Sequence, residues 1–299
     1  MERNGSRRRH ELGGDRIIMY QVNAAFSILK ALTPVTPFRN IAERFPLFMQ
    51  LVLNNLSAKF RKSRLGFLWL FIPHLCILFL YIYVFSHIFK MKWPESAMES
   101  NWSFGLSIYT GIVLYSLLSD SIMESISSIA GRVNYVKKIS FPLDLLPLST
   151  ATANFLVAVM ILLLISLVSF ASGGGYSHTV FMFLPLMIPM WLLACGCAWI
   201  SSVLGVFFRD IGNLLGVLLL VLFFTAPVFY SLQAVPENLR FIAWCNPLTA
   251  FVINVRNVLL FNVEVDWQLY AVSIGCGLLF FQGGFFLFSL ARRRFADVI

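Results

Sequence analysis

The sequence predicts an all-α integral membrane protein: six transmembrane helices, an N-terminal amphipathic interface helix, a re-entrant hairpin between spans five and six, and both termini in the cytoplasm. Three observations carry this. The 299 residues are 59% hydrophobic and 12% charged, with a mean hydropathy of +0.79, whereas soluble domains are roughly 25% charged. Six apolar runs approach the roughly 20 residues that a spanning helix needs. Nineteen of the 23 Lys and Arg fall on one face of the resulting topology, and cytoplasmic loops hold the excess of basic side chains.

Residues 1–42 form a cytoplasmic extension. Arg7, Arg8 and Arg9 precede an apolar run as in a signal peptide, but Gln21, Asn23, Ser27 and Lys30 interrupt that run and no small-residue cleavage site follows. Residues 43–64 read as an amphipathic helix in the headgroup plane. Phe45, Phe48, Met49, Val52, Leu56 and Phe60 share one side, and Gln50, Asn54, Ser57 and Arg61 another. Pro46 suits a first helical turn, while Lys59, Arg61 and Arg64 face anionic membrane lipid. The helix is either a simple anchor or a rim for a cytoplasmic partner.

The six-span domain covers 65–290, with spans near 65–89, 104–126, 143–170, 180–207, 211–230 and 269–290. Gly173, Gly174 and Gly175 mark an outer turn. Arg209 and Asp210 form a sharp turn between spans four and five, because either charge at the bilayer centre costs roughly 2.5–3.5 kcal/mol. That turn is either a solvated hairpin or part of a partner interface. Residues 291–299 are a basic cytoplasmic tail.

The stretch after span five departs from this pattern. Residues 225–230 (TAPVFY) lead to a short polar bend with Pro236, Glu237 and Asn238, then to a second apolar stretch at 241–261. That stretch carries Asn246, Asn254, Arg256 and Asn257, too many polar groups for a lipid-facing span. Broken backbone at membrane depth survives only where protein or a water-filled cavity satisfies it. Residues 231–262 therefore read as a re-entrant hairpin guarding a path, which points to transport.

Other chemistry is sparse. The five Cys make no CxxC pair and read as small core residues, with no metal site. The +9 net charge has a membrane explanation and requires no nucleic acid. Asp120 and Glu124, four residues apart, are either a solvated end of span two or functional carboxylates. His74 reads as a hydrogen-bonded group, and Asn154 as a tie between helices. No Gly-Lys pair occurs, so a phosphate-binding loop is missing and no catalytic or cofactor site is predicted.

Three motifs in order carry a resemblance. The first is Lys59 to Trp69 (KFRKSRLGFLW), followed by Pro73. The second is Asn134 to Pro142 (NYVKKISFP), followed by Pro147. The third joins Phe208-Arg209-Asp210-Ile211, then residues 226–230 (APVFY), Pro236 and Asn246-Pro247. Over about 43–262 the chain resembles the permease subunits of polysaccharide-exporting ABC transporters, the type-2 permease class of O-antigen, capsule and teichoic-acid exporters. That family commonly has Ser-Pro-Ile where this chain has Ala226-Pro227-Val228.

The resemblance implies a permease subunit of the bacterial cytoplasmic (inner) membrane. It would work as a homodimer with two copies of a cytoplasmic ATP-binding subunit, which would hold the ATP and magnesium. The substrate would be a lipid-linked polysaccharide. The ATPase-coupling residues would be Arg132, Asn134, Tyr135, Lys137, Lys138, Phe141, Pro142, Arg209 and Asp210. Pro142 favours extended backbone at Phe141, closing a short exposed element that could plug a partner's cleft. Sugar rings present apolar faces that aromatic walls hold weakly, so Tyr81, Phe85, Phe224 and Tyr230 are candidates for the translocation path. The alternatives are a drug or lipid exporter of the same architecture, a membrane-embedded transferase acting on lipid-linked sugars, or an ion channel. The transferase would need convergent acid groups, of which only Asp120 and Glu124 are present; no channel filter is visible.

Overall fold

The computed structural model describes residues 35–59, 66–89, 102–132, 141–172 and 178–298, and every regular element among them is helical. The α-helices are α1 (Val35–Glu43), α2 (Phe45–Ala58), α3 (Ile72–Tyr81), α4 (Ser103–Ala130), α5 (Leu145–Ala171), α6 (Phe183–Phe207), α7 (Ile211–Thr225), α8 (Arg240–Trp244), α9 (Leu248–Leu260), α10 (Trp267–Ala291) and α11 (Phe295–Val298). Arg61 and Arg64 of the interface helix lie outside the described residues. So do Asn134, Tyr135, Lys137 and Lys138 of the basic loop, the glycine turn at 173–175 and most of the extension before α1.

Four helices, α4, α5, α6 and α10, are long and apolar enough to cross a membrane. At 1.5 Å per residue they extend ~37–42 Å, beyond a hydrocarbon core of ~30 Å. The other apolar runs are shorter. The first, read as 65–89, opens as a 3-10 turn at Gly66–Leu70, becomes α3, and widens into a π-helical turn at Ile82–Ile88. Gly66 has φ +55°, and a Cβ there would meet nothing within 4 Å. The glycine of the first motif is therefore required by backbone conformation and not by space. The π turn begins where Gly105 of α4 approaches most closely: a Cβ at 105 would lie 2.7 Å from Ile82 Cα.

The fifth run, read as 211–230, is helical only to Thr225. Pro227 forces the change, because the residue before a proline is pushed to extended backbone; Ala226 has ψ 146°. The 241–261 stretch is likewise split at Asn246-Pro247 into α8 and α9.

The core is built around α4, which packs on α5, α6, α3, α9 and α7. The most extensive interface joins α6 and α10. Small residues make it: a Cβ at Gly196 would collide with the Phe280 carbonyl, and one at Gly284 with the Gly196 carbonyl. Between apolar helices, such close backbone approach replaces the hydrophobic driving force that lipid removes. Trp199, fully buried, donates from Nε1 to the Asp144 carbonyl at 3.0 Å and packs on Phe281 and Phe285. Beside it, α2 lies on α5 through Phe48, Leu51 and Val52. Phe45 and Met49 of the same apolar side are exposed, since the contact with α5 centres on 48, 51, 52 and 55.

Candidate functional site

The polar groups of the 225–266 stretch are placed where the backbone breaks. When α7 ends at Thr225, the carbonyls after Leu222, which still accepts from the Ala226 N–H, lose their helical donors. Side chains from the following segment supply donors there and a second one to Leu222. Asn246 donates to the Leu222 carbonyl at 2.7 Å and to Thr225 Oγ1 at 2.8 Å, while its Oδ1 accepts from the Leu248 N–H at 2.9 Å. The Tyr230 hydroxyl donates toward the Thr225 carbonyl at 2.9 Å and the Phe224 carbonyl at 3.2 Å. Thr249 Oγ1 donates to the Ala243 carbonyl across the α8–α9 break.

Arg256 completes the set. It is 3% exposed, and its guanidinium donates to the carbonyls of Ser107 (3.1 Å), Pro227 (3.1 Å) and Val228 (3.2 Å). One side chain thus joins α9, the break after α7 and the first turns of α4. An isolated charge is costly in a low-dielectric interior unless hydrogen-bonded; carbonyls freed by the break meet that need, and the guanidinium meets theirs. Asn254 closes the other end of the segment. It exchanges two hydrogen bonds with the Asp266 backbone, each 3.0 Å, and Asp266 caps α10 by accepting from the Gln268 and Leu269 N–H groups. Asn262, with φ 54°, terminates α9, and the Val263 N–H closes on the Asn257 carbonyl at 3.1 Å. Sequence reasoning marked these residues as too polar for a lipid-facing span; their partners, up to 149 positions away, were not visible in it.

The proposed path residues form two groups that meet α4. Tyr81 and Phe85 stack on each other at 5.8 Å; Tyr81 contacts Tyr109 at 6.3 Å and Phe85 contacts Phe104 at 5.5 Å. Phe224 packs on Phe223, which lies 4.5 Å from Tyr115. Phe224 and Tyr230 share the lining of a concavity of about 300 Å³. A second, of about 570 Å³, is lined by Pro227, Gln233, Trp244, Arg256 and Asp266.

At the opposite end of α4 lies a second polar cluster. Lys59 pairs with Glu124 at 2.7 Å, and Asn154 of α5 donates to the other Glu124 oxygen at 3.2 Å. Asn55 of α2 donates to Ser149 at 3.0 Å and accepts from Arg132 at 3.2 Å. The notch between α2, α4 and α5 has a volume of about 440 Å³. Of the predicted coupling residues, Arg132 sits in this notch, Phe141 and Pro142 precede α5, and Arg209 and Asp210 form an exposed turn between α6 and α7. Among the described residues, no group of side chains is arranged to hold a metal ion.

The family model described as ABC-2 type transporter matches residues 46–260. The chain belongs to the ABC-2 type transporter family. It is a multi-pass membrane protein and a transporter component. The O-antigen export system permease protein RfbA of Klebsiella pneumoniae is 23% identical over 261 residues, covering 87% of this chain and 97% of that protein. RfbA of Myxococcus xanthus is 24% identical over 255 residues, 85% and 95% of the two chains. The polysialic acid transport protein KpsM of Escherichia coli is 26% identical over 209 residues, 68% and 76%. The ABC-2 match runs from α2 through α9, so it includes the π turn and the Arg256-centred brace. Helix α10, outside the match, still packs along the length of α6.

Proposed function

We propose that the chain is the transmembrane subunit of an ATP-driven exporter that moves lipid-linked polysaccharide outward across the bacterial cytoplasmic membrane. The observation that carries this is the likeness, over nearly their full length, to relatives named as O-antigen export permeases, joined to a broken, internally braced segment of the kind tolerated at membrane depth only inside protein or beside a water-filled cavity. The relatives' names weigh against the drug-exporter alternative.

In this reading the chain crosses the membrane six times. Helices α3 with its π turn and α7 serve as spans one and five, and residues 231–262 dip into the outer side and return. Helix α7 supports a shared conduit. Leu214, Val217, Leu218, Val221 and Phe224 are exposed on it, while Leu219 is its one buried residue. Tyr83 and Leu80 of the first run are exposed too. Such an apolar surface suits a second copy across a two-fold axis. The substrate would pass at that seam, along the aromatic groups of α3 and α7. Two ATP-binding subunits would dock beneath α2, the 133–140 loop and the Arg209–Asp210 turn. The chain itself would contribute no nucleotide site.

Deleting the gene in its host tests the proposal. Surface polysaccharide should fall to background, lipid-linked glycan should accumulate inside the cell, and a plasmid copy should reverse both. Unchanged surface glycan, with the chain's loss altering only drug or phospholipid efflux, would contradict it.

A further inference from the structure

A further cavity, of about 140 Å³, lies between α3, α4 and α5, beside Lys59 at the end of α2. That is an order of magnitude above the ~10–15 Å³ one water molecule needs. Its polar lining is Lys59, His74, Tyr109, Ser116, Asp120 and Asn154; the remainder is apolar, Ile77, Val157 and Ile161 included. Lys59 is the residue it shares with the larger notch at the end of α4.

Among the described residues, two of these groups make no hydrogen bond. Asp120 makes no hydrogen bond or ion pair among the described residues, although Lys59 and Glu124 on either side are paired with each other. Ser116, one helical turn earlier, is also without one. Other hydroxyls of the same helix fold back on it: Thr110 donates to the Leu106 carbonyl, Ser121 to Leu117 and Ser128 to Ser125. Ser116, like the buried Ser125 Oγ of the same helix, makes no such bond among the described residues, and Ser116 is the one that lines the cleft. Asp120 sits ten residues before the end of a helix ~42 Å long, ~15 Å of rise from that end. It is exposed and lines the cleft, where its carboxyl group is open to accept hydrogen bonds from a ligand.

We propose that this cleft is a saccharide-binding subsite for the glycan end of the lipid-linked substrate, with Asp120 and Ser116 as its hydroxyl ligands. The inference rests on the export reading above. Sugar hydroxyls donate to the carboxylate and to Ser116 Oγ. The Asn154 carbonyl oxygen, whose amide is committed to Glu124, accepts a third. The apolar wall beside them suits the ring's C–H faces and the adjoining lipid chain.

The test is photo-crosslinking in glycan-producing cells with the intact transporter. The photoprobe p-azidophenylalanine is placed at Val157, which lines the cleft, or at Leu167, which faces outward on the same helix. Both variants are first shown to export glycan; failure of the unmodified chain to export would sink the export reading itself. With export intact, the Val157 probe should form a glycan adduct and the Leu167 probe should not. Asp120→Ala should lower adduct yield roughly tenfold or more, as loss of a hydrogen bond to a charged group does, with chain levels unchanged. Asp120→Glu should restore part of it, and Ser116→Ala should lower yield more mildly. Adducts at Val157 only to phospholipid or to a second copy of the chain would overturn the subsite while leaving export standing. So would a glycan adduct equally strong in Asp120→Ala.

Discussion

Arg256 and Val228 are 28 positions apart in the chain, and the Arg256 Nη2 lies 3.2 Å from the Val228 carbonyl. That bond, with its neighbours to Pro227 and Ser107, makes the interruption after α7 affordable in an apolar surrounding. Arg256→Ala removes the donor from the two carbonyls in the break, Pro227 and Val228, and the second donor from Ser107, which keeps its helical partner within α4. At ~1–3 kcal/mol for each unsatisfied group, the loss is several kcal/mol. Thermal unfolding in detergent should show a large drop for Arg256→Ala and a smaller one for Arg256→Lys, whose compact ammonium cannot span all three acceptors. Equal stability of all three proteins would contradict the brace.

Asn246 acts on the other side of the same break. Asn246→Leu keeps volume but removes the cap on Leu222 and Thr225. The expected cost is ~2 kcal/mol, read as a lower unfolding midpoint and faster proteolysis near Pro227. Asn238→Leu, in the nearby bend, should leave both unchanged.

The α6–α10 interface makes a contrasting prediction within one residue type. Gly284→Leu drives a side chain into the Gly196 backbone and should cost about 3 kcal/mol or more through overpacking. Gly275→Ala and Gly283→Ala, where a Cβ meets nothing within 4 Å, should be neutral or stabilising by ~0.5–1 kcal/mol. Folded yield after membrane extraction separates the two classes.

The Lys59–Glu124 pair joins α2 to α4 and is partly exposed, so its net contribution is at most ~1 kcal/mol. Lys59→Glu alone should weaken the attachment of α2, read as faster protease cleavage in that helix. The double exchange Lys59→Glu with Glu124→Lys should restore it. No recovery would place the effect outside the pair.

Much of this was legible in the sequence because it is local. Apolar run lengths located α4, α5, α6 and α10 to within a few residues, and Pro46 marked the first turn of α2. Pro227 stood in the sequence, yet span five was read through it to Tyr230, because apolar residues continue past the proline. The polar excess of 246–257 announced a special segment, but periodicity carries no information about long-range partners such as the Ser107 carbonyl. The apolar side of α2 was legible from its spacing, but which part of it meets protein was not: α5 covers Phe48 and Val52 and leaves Phe45 and Met49 exposed. The cleft at Ser116 and Asp120 was hidden for the same reason, being made by helices that meet only in the fold.

The most direct measurement concerns the segment that Arg256 braces. Single cysteines are introduced at Glu237 and at Glu264, both exposed, in a chain freed of its native thiols, and intact cells are treated with a membrane-impermeant maleimide. A hairpin that enters and leaves on one side requires both positions to react from outside the cell, each blocked by a smaller impermeant thiol reagent. Reaction of one from outside and of the other only after the cells are opened would mean that residues 240–260 cross the bilayer, and the six-span export path would be wrong.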